Sequence, residues 1–376
     1  MSELKLQGGS SGSSTYIIQG GAGDTNRTFT LPNVADTTIS SIRDRRPENL
    51  LINGGMNVWQ RATSQASISS TSTDGYVTAD RWETYNNSLG TWTQSQSTDV
   101  PSGQGFGYSL KMDCTTADAS PAAGDELVII QKIEAQNLQH LLFGTSSAKS
   151  ITLSFWVKSN KTGTYIINLV RTDVSNRHIS KSYTISSADT WEKKEITFDG
   201  DTTNAIANDN GRGIDFNFYL AAGSNYTSGT LATSWEALTT ANRAVGQVNL
   251  ADSTSNEWYM TGCQLEVGDT ATDFQFEPYE TVLRKCQRYF WYGEISGAAT
   301  ADNDYNKNYM GNSFPVTMRD TPGITRVSGA LVGHGGFNAD ETTRVTKDSV
   351  TVGWSGSNYR DIGAAGHQIL KADAEL

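Results

Sequence analysis

Ile151-Thr152-Leu153-Ser154-Phe155-Trp156-Val157-Lys158 decides the fold. Every odd position is aliphatic or aromatic, and the even positions are Thr, Ser, Trp and Lys. Side chains of a strand alternate between faces, so this pattern buries one face and leaves the other polar, with a tryptophan on it. A second run answers it. In Ile214-Asp215-Phe216-Asn217-Phe218-Tyr219-Leu220 the even positions are apolar and the odd ones carry Asp215, Asn217 and Tyr219. Such alternation belongs to antiparallel sheets covered on one side, not to parallel α/β sheets buried on both. The expectation is an all-β chain whose middle is a jelly-roll β-sandwich. One sheet face would be left for a ligand or a neighbouring subunit.

Outward from this centre, further strands are expected. Asn49–Ala62 reads as an apolar run, a Gly turn and an aromatic strand, the first of the sandwich. Thr78–Glu83 opens another, paired with Thr91–Gln96. Phe106, Tyr108, Leu110, Met112 and Cys114 share a face, which places Cys114 in the core. Leu127–Ile133 is apolar on both faces, as a central strand would be. Ala135–Phe143 has helical spacing, and Trp258–Val267 closes the sandwich. Leu283–Tyr292 starts as a helix and turns into a strand. Short strands are expected near Arg344–Lys347 and Val350–Trp354. The N-terminal stretch repeats Leu6-Gln7-Gly8-Gly9 as Ile18-Gln19-Gly20-Gly21 and has too few apolar residues for a core of its own. Three parts follow: an attachment and oligomerisation arm over 1–48, the sandwich over 49–282 and a small β tip module over 283–376.

Composition narrows the function. The 376 residues include 36 Gly, 7 Pro and nine Trp, and only 18% are charged. That is the make-up of an extracellular-type β protein rather than of a helical enzyme. A net charge of -11 with 29 Lys and Arg gives no basic face for nucleic acid and no polybasic membrane patch. No apolar run is long enough to span a bilayer. Cys114, Cys263 and Cys286 show no C-x-x-C spacing, and three cannot all pair, so free thiols and folding in a reducing cytoplasm are expected. The first residues do not read as a signal peptide. A virion protein reconciles cytoplasmic synthesis with an exterior composition.

Several stretches then combine. Asn49-Leu50-Leu51-Ile52-Asn53-Gly54-Gly55-Met56-Asn57-Val58-Trp59-Gln60-Arg61 is followed by Thr78-Ala79-Asp80-Arg81-Trp82. Thr261-Gly262-Cys263-Gln264-Leu265-Glu266-Val267-Gly268 follows, with Ala271-Thr272 and Phe276-Glu277 beyond it. Cys286-Gln287-Arg288-Tyr289-Phe290 and Phe314-Pro315-Val316-Thr317-Met318-Arg319 complete the series. In this order, over residues 49 to about 320, the chain resembles bacteriophage tail fibre and receptor-binding proteins. The resemblance implies a jelly roll similar to carbohydrate-binding modules, a homotrimer and a virion location in the tail. Its implied partners are other tail proteins through the N-terminal arm and host surface polysaccharide. It brings no catalytic set, and the last 50 residues lie outside it.

Candidate sites follow from residue chemistry. A sugar ring offers an apolar face to an aromatic plane and a rim of hydroxyls to Asp and Asn. Trp156, Asp215, Asn217 and Tyr219 are therefore the expected sugar platform, against the plainer reading that their face packs on another subunit. Tyr226 and Trp92 are read as exposed, and Trp191 and Trp235 as core. In the tip module, Tyr305, Tyr309, Phe337, Trp354 and Tyr359 are candidate contacts among Asn and Gly. Asp199, Asp201 and Asp209 offer the hard oxygens that Ca²⁺ takes, although their spacing is not that of an EF-hand and turns use the same residues. No other cofactor is expected. No two of the four histidines stand at i, i+4, and no phosphate-binding loop or nucleophile elbow is present. The reading is a tail fibre that adsorbs to host glycan through many weak contacts. A purely structural appendage and a polysaccharide depolymerase are the alternatives.

Overall fold

A computed structural model describes residues 49–298, 307–331, 344–355 and 365–376. The expected N-terminal arm over 1–48 lies outside the described residues. Two six-stranded antiparallel sheets form the jelly-roll sandwich. The first runs in the order β1 (Ser64–Ile68), β3 (Thr91–Ser97), β4 (Ser109–Thr116), β12 (Glu257–Val267), β6 (Ile151–Ser159) and β9 (Glu192–Phe198). The second runs β11 (Glu236–Ala237), β8 (Arg177–Ile185), β7 (Gly163–Arg171), β10 (Arg212–Ala222), β5 (Glu126–Glu134) and β2 (Glu83–Asn87).

The two deciding stretches are β6 and β10, and they face one another. Ile151, Leu153, Phe155 and Val157 are fully buried, as are Ile214, Phe216, Phe218 and Leu220. Phe155 meets Phe218 edge-on at 5.5 Å between ring centres, and Phe198 meets Phe216 at 6.4 Å. Edge-to-face pairs like these add to the burial of large apolar side chains that drives the two layers together. Cys114 joins this core, as expected.

Several strand expectations need correction. Asn49–Ala62 is an irregular turn and not a strand. Asn53 organises it: its Nδ2 donates to the carbonyls of Val58 and Asp80 at 2.9 and 3.0 Å, and its Oδ1 accepts from the Asn57 and Val58 N–H groups. An asparagine side chain thus replaces the ladder bonds a strand would need. Thr91–Gln96 pairs with β1 and β4, while β2 belongs to the opposite sheet. The doubly apolar β5 is an interior strand, as expected, paired with β10 on one side and with the edge strand β2 on the other. Its outward Val128 and Ile130 join Ile166 and Tyr219 of the same face and Ala244 of the overlying segment in a small apolar cluster.

A helix, Tyr279–Gln287, leads out of the sandwich and into β13 (Phe290–Ala298), as the spacing predicts. Two three-stranded sheets follow. One is β13, β18 (Ala365–Asp373) and β15 (Gly323–Leu331); the other is β14 (Lys307–Ser313), β17 (Ser349–Ser355) and β16 (Arg344–Val345). They enclose a small core in which Trp291 packs edge-on against Phe314 at 5.5 Å. Among the described residues no helix is long and apolar enough to cross a membrane.

Candidate functional site

The expected platform of Trp156, Asp215, Asn217 and Tyr219 does not assemble. Trp156 is on the outer face of the first sheet and the other three are on the outer face of the second, with the whole core between them. The second face is also covered by its own chain. Segment 223–248 lies across it: the Ser180 N–H donates to the Ala232 carbonyl at 2.7 Å and the Val248 N–H to the Thr164 carbonyl at 2.8 Å. Under that cover Asp215 is ion-paired with Arg212. Asn217 donates to the Asn168 carbonyl at 2.9 Å, and Tyr219 lies below the Arg243 guanidinium and beside Tyr226. Alternation alone cannot separate a polar face in water from one covered by a later loop.

The outer face of the first sheet is partly covered by residues 268–276, and Tyr259 and Phe106 on it are buried, but its aromatic side chains form a ribbon that reaches the surface at Trp191, Trp156 and Phe276. At one end Trp191 stands edge-on to Tyr259, with ring centres 6.2 Å apart. Tyr259 pairs across the ladder with Lys158, and the next outward pair is Thr261 with Trp156. Tyr259 and Trp156 are therefore diagonal neighbours on one face. Half-buried Trp156 then meets Phe106 over Gly262. A Cβ at Gly262 would lie 2.5 Å from the Phe106 ring and 3.1 Å from Trp156, and its φ of +64° suits glycine. The register shifts here, between Thr261 and Gln264, so a bulge turns the strand beneath the two rings. Phe106 continues to Phe274 and Phe276 at 5.0 and 5.2 Å, and Phe276 ends the ribbon 55% exposed.

Residues 268–276 carry the far end of the ribbon, folded back onto the sheet. Gln264 accepts from the Gln275 N–H at 2.7 Å and donates to the Asp273 carbonyl at 3.2 Å, while Glu266 accepts from the Thr272 N–H at 2.9 Å. Thr152 donates to the Gly268 carbonyl at 2.9 Å. The landmark running from Thr261 to Glu277 is thus the stretch that presents Phe274 and Phe276.

Charged side chains border the rings, each with a partner. Lys158 sits 4.4 Å above the Tyr259 ring centre and is ion-paired with Asp99, which also accepts from the Trp191 indole N–H at 2.9 Å. Burial acts to raise the Asp99 carboxyl, but the hydrogen bonds from Lys158 and Trp191 outweigh it and lower its pKa. Lys111 donates to Glu257 at 2.6 Å, and the Tyr259 hydroxyl donates to the other oxygen of Glu257 at 2.5 Å. Burial acts to raise Glu257 too, and these bonds lower it. Beside it Asp113 is raised, by burial first and then by the Glu257 charge, with Lys111 opposing. The border therefore holds mostly ionised carboxylates with lone pairs toward solvent.

Trp191, read as core, is half-buried on this outer face, and Trp92, read as exposed, is fully buried with its N–H donating to the Leu89 carbonyl. Trp235 is half-buried at the core edge, edge-on to Phe143. Tyr226 is half-buried. The calcium candidates are otherwise employed. Asp201 is buried and ion-paired with both Arg171 and Arg177, Asp209 accepts from the Gly211 N–H in a turn, and the Asp199 carbonyl accepts from Trp235. A cation at Asp201 would have to displace two guanidinium groups, and among the described residues the three aspartates do not gather into a group that could hold a metal ion. Tyr305, Phe337 and Tyr359 lie outside the described residues; Tyr309 and Trp354 fall in β14 and β17.

The remaining landmarks converge on a joint between the sandwich and the C-terminal sheets. Arg61 stacks on Phe290 at 3.6 Å and Arg81 on Tyr289 at 3.5 Å, and both guanidinium groups bind Glu375. Arg319 donates to the Ala374 and Glu375 carbonyls at 2.7 and 2.8 Å. Arg288 holds Glu134 of β5 through both oxygens, at 2.7 and 2.8 Å. The signature residues Asp80-Arg81, Arg288-Tyr289-Phe290 and Arg319 thus fasten two parts of one unit.

No protein-family model matches the sequence, and no curated protein matches it either. Solved structures resemble the fold at low identity. The enzymatically active domain of bacteriophage CBA120 tailspike protein 4 is 14% identical, with a TM-score of 0.31 over 58% of this chain and 21% of that one. The chain thus matches about a fifth of that tailspike structure. A putative sugar-binding protein from Bacteroides thetaiotaomicron is 11% identical, with a TM-score of 0.32 over 58% of this chain and all of that one. A family 11 carbohydrate-binding module from Clostridium thermocellum, solved with a mixed-linked tetrasaccharide, is 11% identical, with a TM-score of 0.28 over 50% and 89%. At these values the likenesses do not identify what this chain binds.

Proposed function

We propose that this chain is a glycan-binding adhesion protein, a phage tail fibre that attaches through the aromatic ribbon on the first sheet. One observation carries the reading: the succession of rings from Trp191 to Phe276 on the outer face of the first sheet, buried at Tyr259 and Phe106 and reaching the surface at Trp191, Trp156 and Phe276, bordered by carboxylates and amines. Aromatic faces take the CH surface of sugars, and the border takes their hydroxyls. The resemblance of the landmark series to tail fibre proteins supports the virion role. Binding without catalysis fits the ribbon's carboxylates, which already accept hydrogen bonds from Lys111, Tyr259, Lys158 and Trp191. A homotrimer would present three ribbons, and multivalency would turn weak single contacts into firm attachment.

The test is a polysaccharide array probed with the full chain, beside a Phe276→Ala variant. Phe276 is exposed, so the variant should keep its melting temperature and lose about tenfold in glycan affinity, the weight of one stacking ring. Unchanged binding by the variant, or release of reducing ends by the wild-type protein, would defeat the adhesion reading. Light scattering in solution checks the trimer.

A further inference from the structure

We infer that the ligand of the ribbon is an internal stretch of an uncharged, hydroxyl-rich polysaccharide. This rests on the ribbon reading above and narrows it to a ligand class. The first ground is charge. The ribbon carries Lys111, Lys158 and Lys193, each already matched: to Glu257 at 2.6 Å, to Asp99, and to Glu195 at 2.8 Å. Asp113 adds a carboxylate with Lys111 3.8 Å away. A uronate or phosphate on the ligand would have to displace one of these carboxylates from its ammonium and would stand among the others. It would do so on a chain of net charge -11. Both effects oppose an anionic glycan.

The second ground is the balance of hydrogen-bonding groups. Asp99, Glu195 and Glu257 are 45%, 52% and 37% exposed in their side chains, so they keep lone pairs toward solvent, while the side chains of Lys158, Lys193 and Lys111 facing them are less exposed, at 12%, 35% and 23%. Such a border seeks donors. Neutral sugars bring one donor per hydroxyl without an ion's desolvation cost.

The third ground is shape. The rings follow the β6–β12 ladder, from Trp191 beside Lys158 and Tyr259, past Trp156, to Phe274 and Phe276, whose far side is flanked by residues 49–57. Chain-end recognition requires a closed pocket around the terminal unit. A strip several rings long instead accepts consecutive units of a longer chain.

The experiment is calorimetric titration of the full chain with neutral, uronate-bearing and amine-bearing soluble polysaccharides, at low and high salt. Neutral polymers treated with borohydride, which alters only their reducing ends, are titrated alongside. The expected result is binding of a neutral polymer that changes less than about twofold with salt. It should survive end reduction, strengthen with chain length, and fall about tenfold in Trp156→Ala and Phe276→Ala. Preference for an anionic or amine-bearing polymer, with roughly tenfold weakening in salt, would overturn the ligand class while leaving the ribbon as the site. Loss of binding on end reduction would overturn the internal-chain inference in the same way. Neutral binding untouched by both substitutions, or no binding to any polymer, would remove the ribbon reading and this inference with it.

Discussion

Gly262 sits where Trp156 and Phe106 come together, and its conformation and its missing side chain are both needed. Gly262→Val puts a Cβ 2.5 Å from the Phe106 ring and forces a β-branched residue to positive φ. The expected cost is about 1–3 kcal/mol by urea denaturation, with glycan binding falling further than stability alone explains. Phe276→Ala should instead stay within about 0.5 kcal/mol of wild type, because that ring is open to solvent. This contrast marks what was legible at the residue level. Trp156 was readable because it breaks a clean polar alternation. Phe276 was not, because Ala271–Phe276 has no period and its placement depends on Gln264 and Glu266 in another element. Asp215 and Tyr219 misled because a covered polar residue and a solvated one have the same letter.

At the level of elements, the pairing of β6 with β10 across the core followed from period-2 patterning, which sheet packing enforces directly. The landmark motifs pointed to a family resemblance, and their physical role became clear only in three dimensions. They form the joint in which β5, the Tyr279–Gln287 helix, β13 and β18 are tied by arginines. Burial pushes the Glu134 carboxyl up, yet the paired hydrogen bonds from Arg288 outweigh it and hold it below its ordinary 4.5. A lowered carboxyl contributes its full stability above that ordinary value and loses it as pH falls through the depressed one. The melting temperature should therefore drop as the solution is acidified below about pH 4.5, and Glu134→Gln should flatten that part of the profile while lowering the plateau. Glu375→Ala leaves Arg81 buried with one anionic partner removed. A loss of about 3 kcal/mol is expected, with faster proteolysis of the C-terminal sheets. Wild-type resistance in that variant would refute the joint.

For the whole molecule, the thiols give a direct check on the core. Cys114, Cys263 and Cys286 are all buried and unpaired. Burial pushes the Cys114 thiol up to about 11 and the other two well above their ordinary value. A thiol reagent should find none of the three in the native protein and all of them in denaturant, because only the thiolate reacts. Rapid labelling of Cys286 alone would mean that the helix leaves the joint readily.

The clasp on Glu375 also has a consequence for the order in which a nascent chain gains its contacts. Arg81 and Glu375 are 294 residues apart. The sandwich strands have emerged and can pair long before this ionic partner exists, so a guanidinium destined for a dry site stays wet until Glu375 has been made. Closing so long a loop adds little entropy cost beyond that of a shorter one, but it must come late. Ribosomes stalled before β18 should therefore carry a sandwich that is formed yet still accessible to protease at the Arg61–Arg81 edge, and the stretch around Glu375 would act as the latch that seals it.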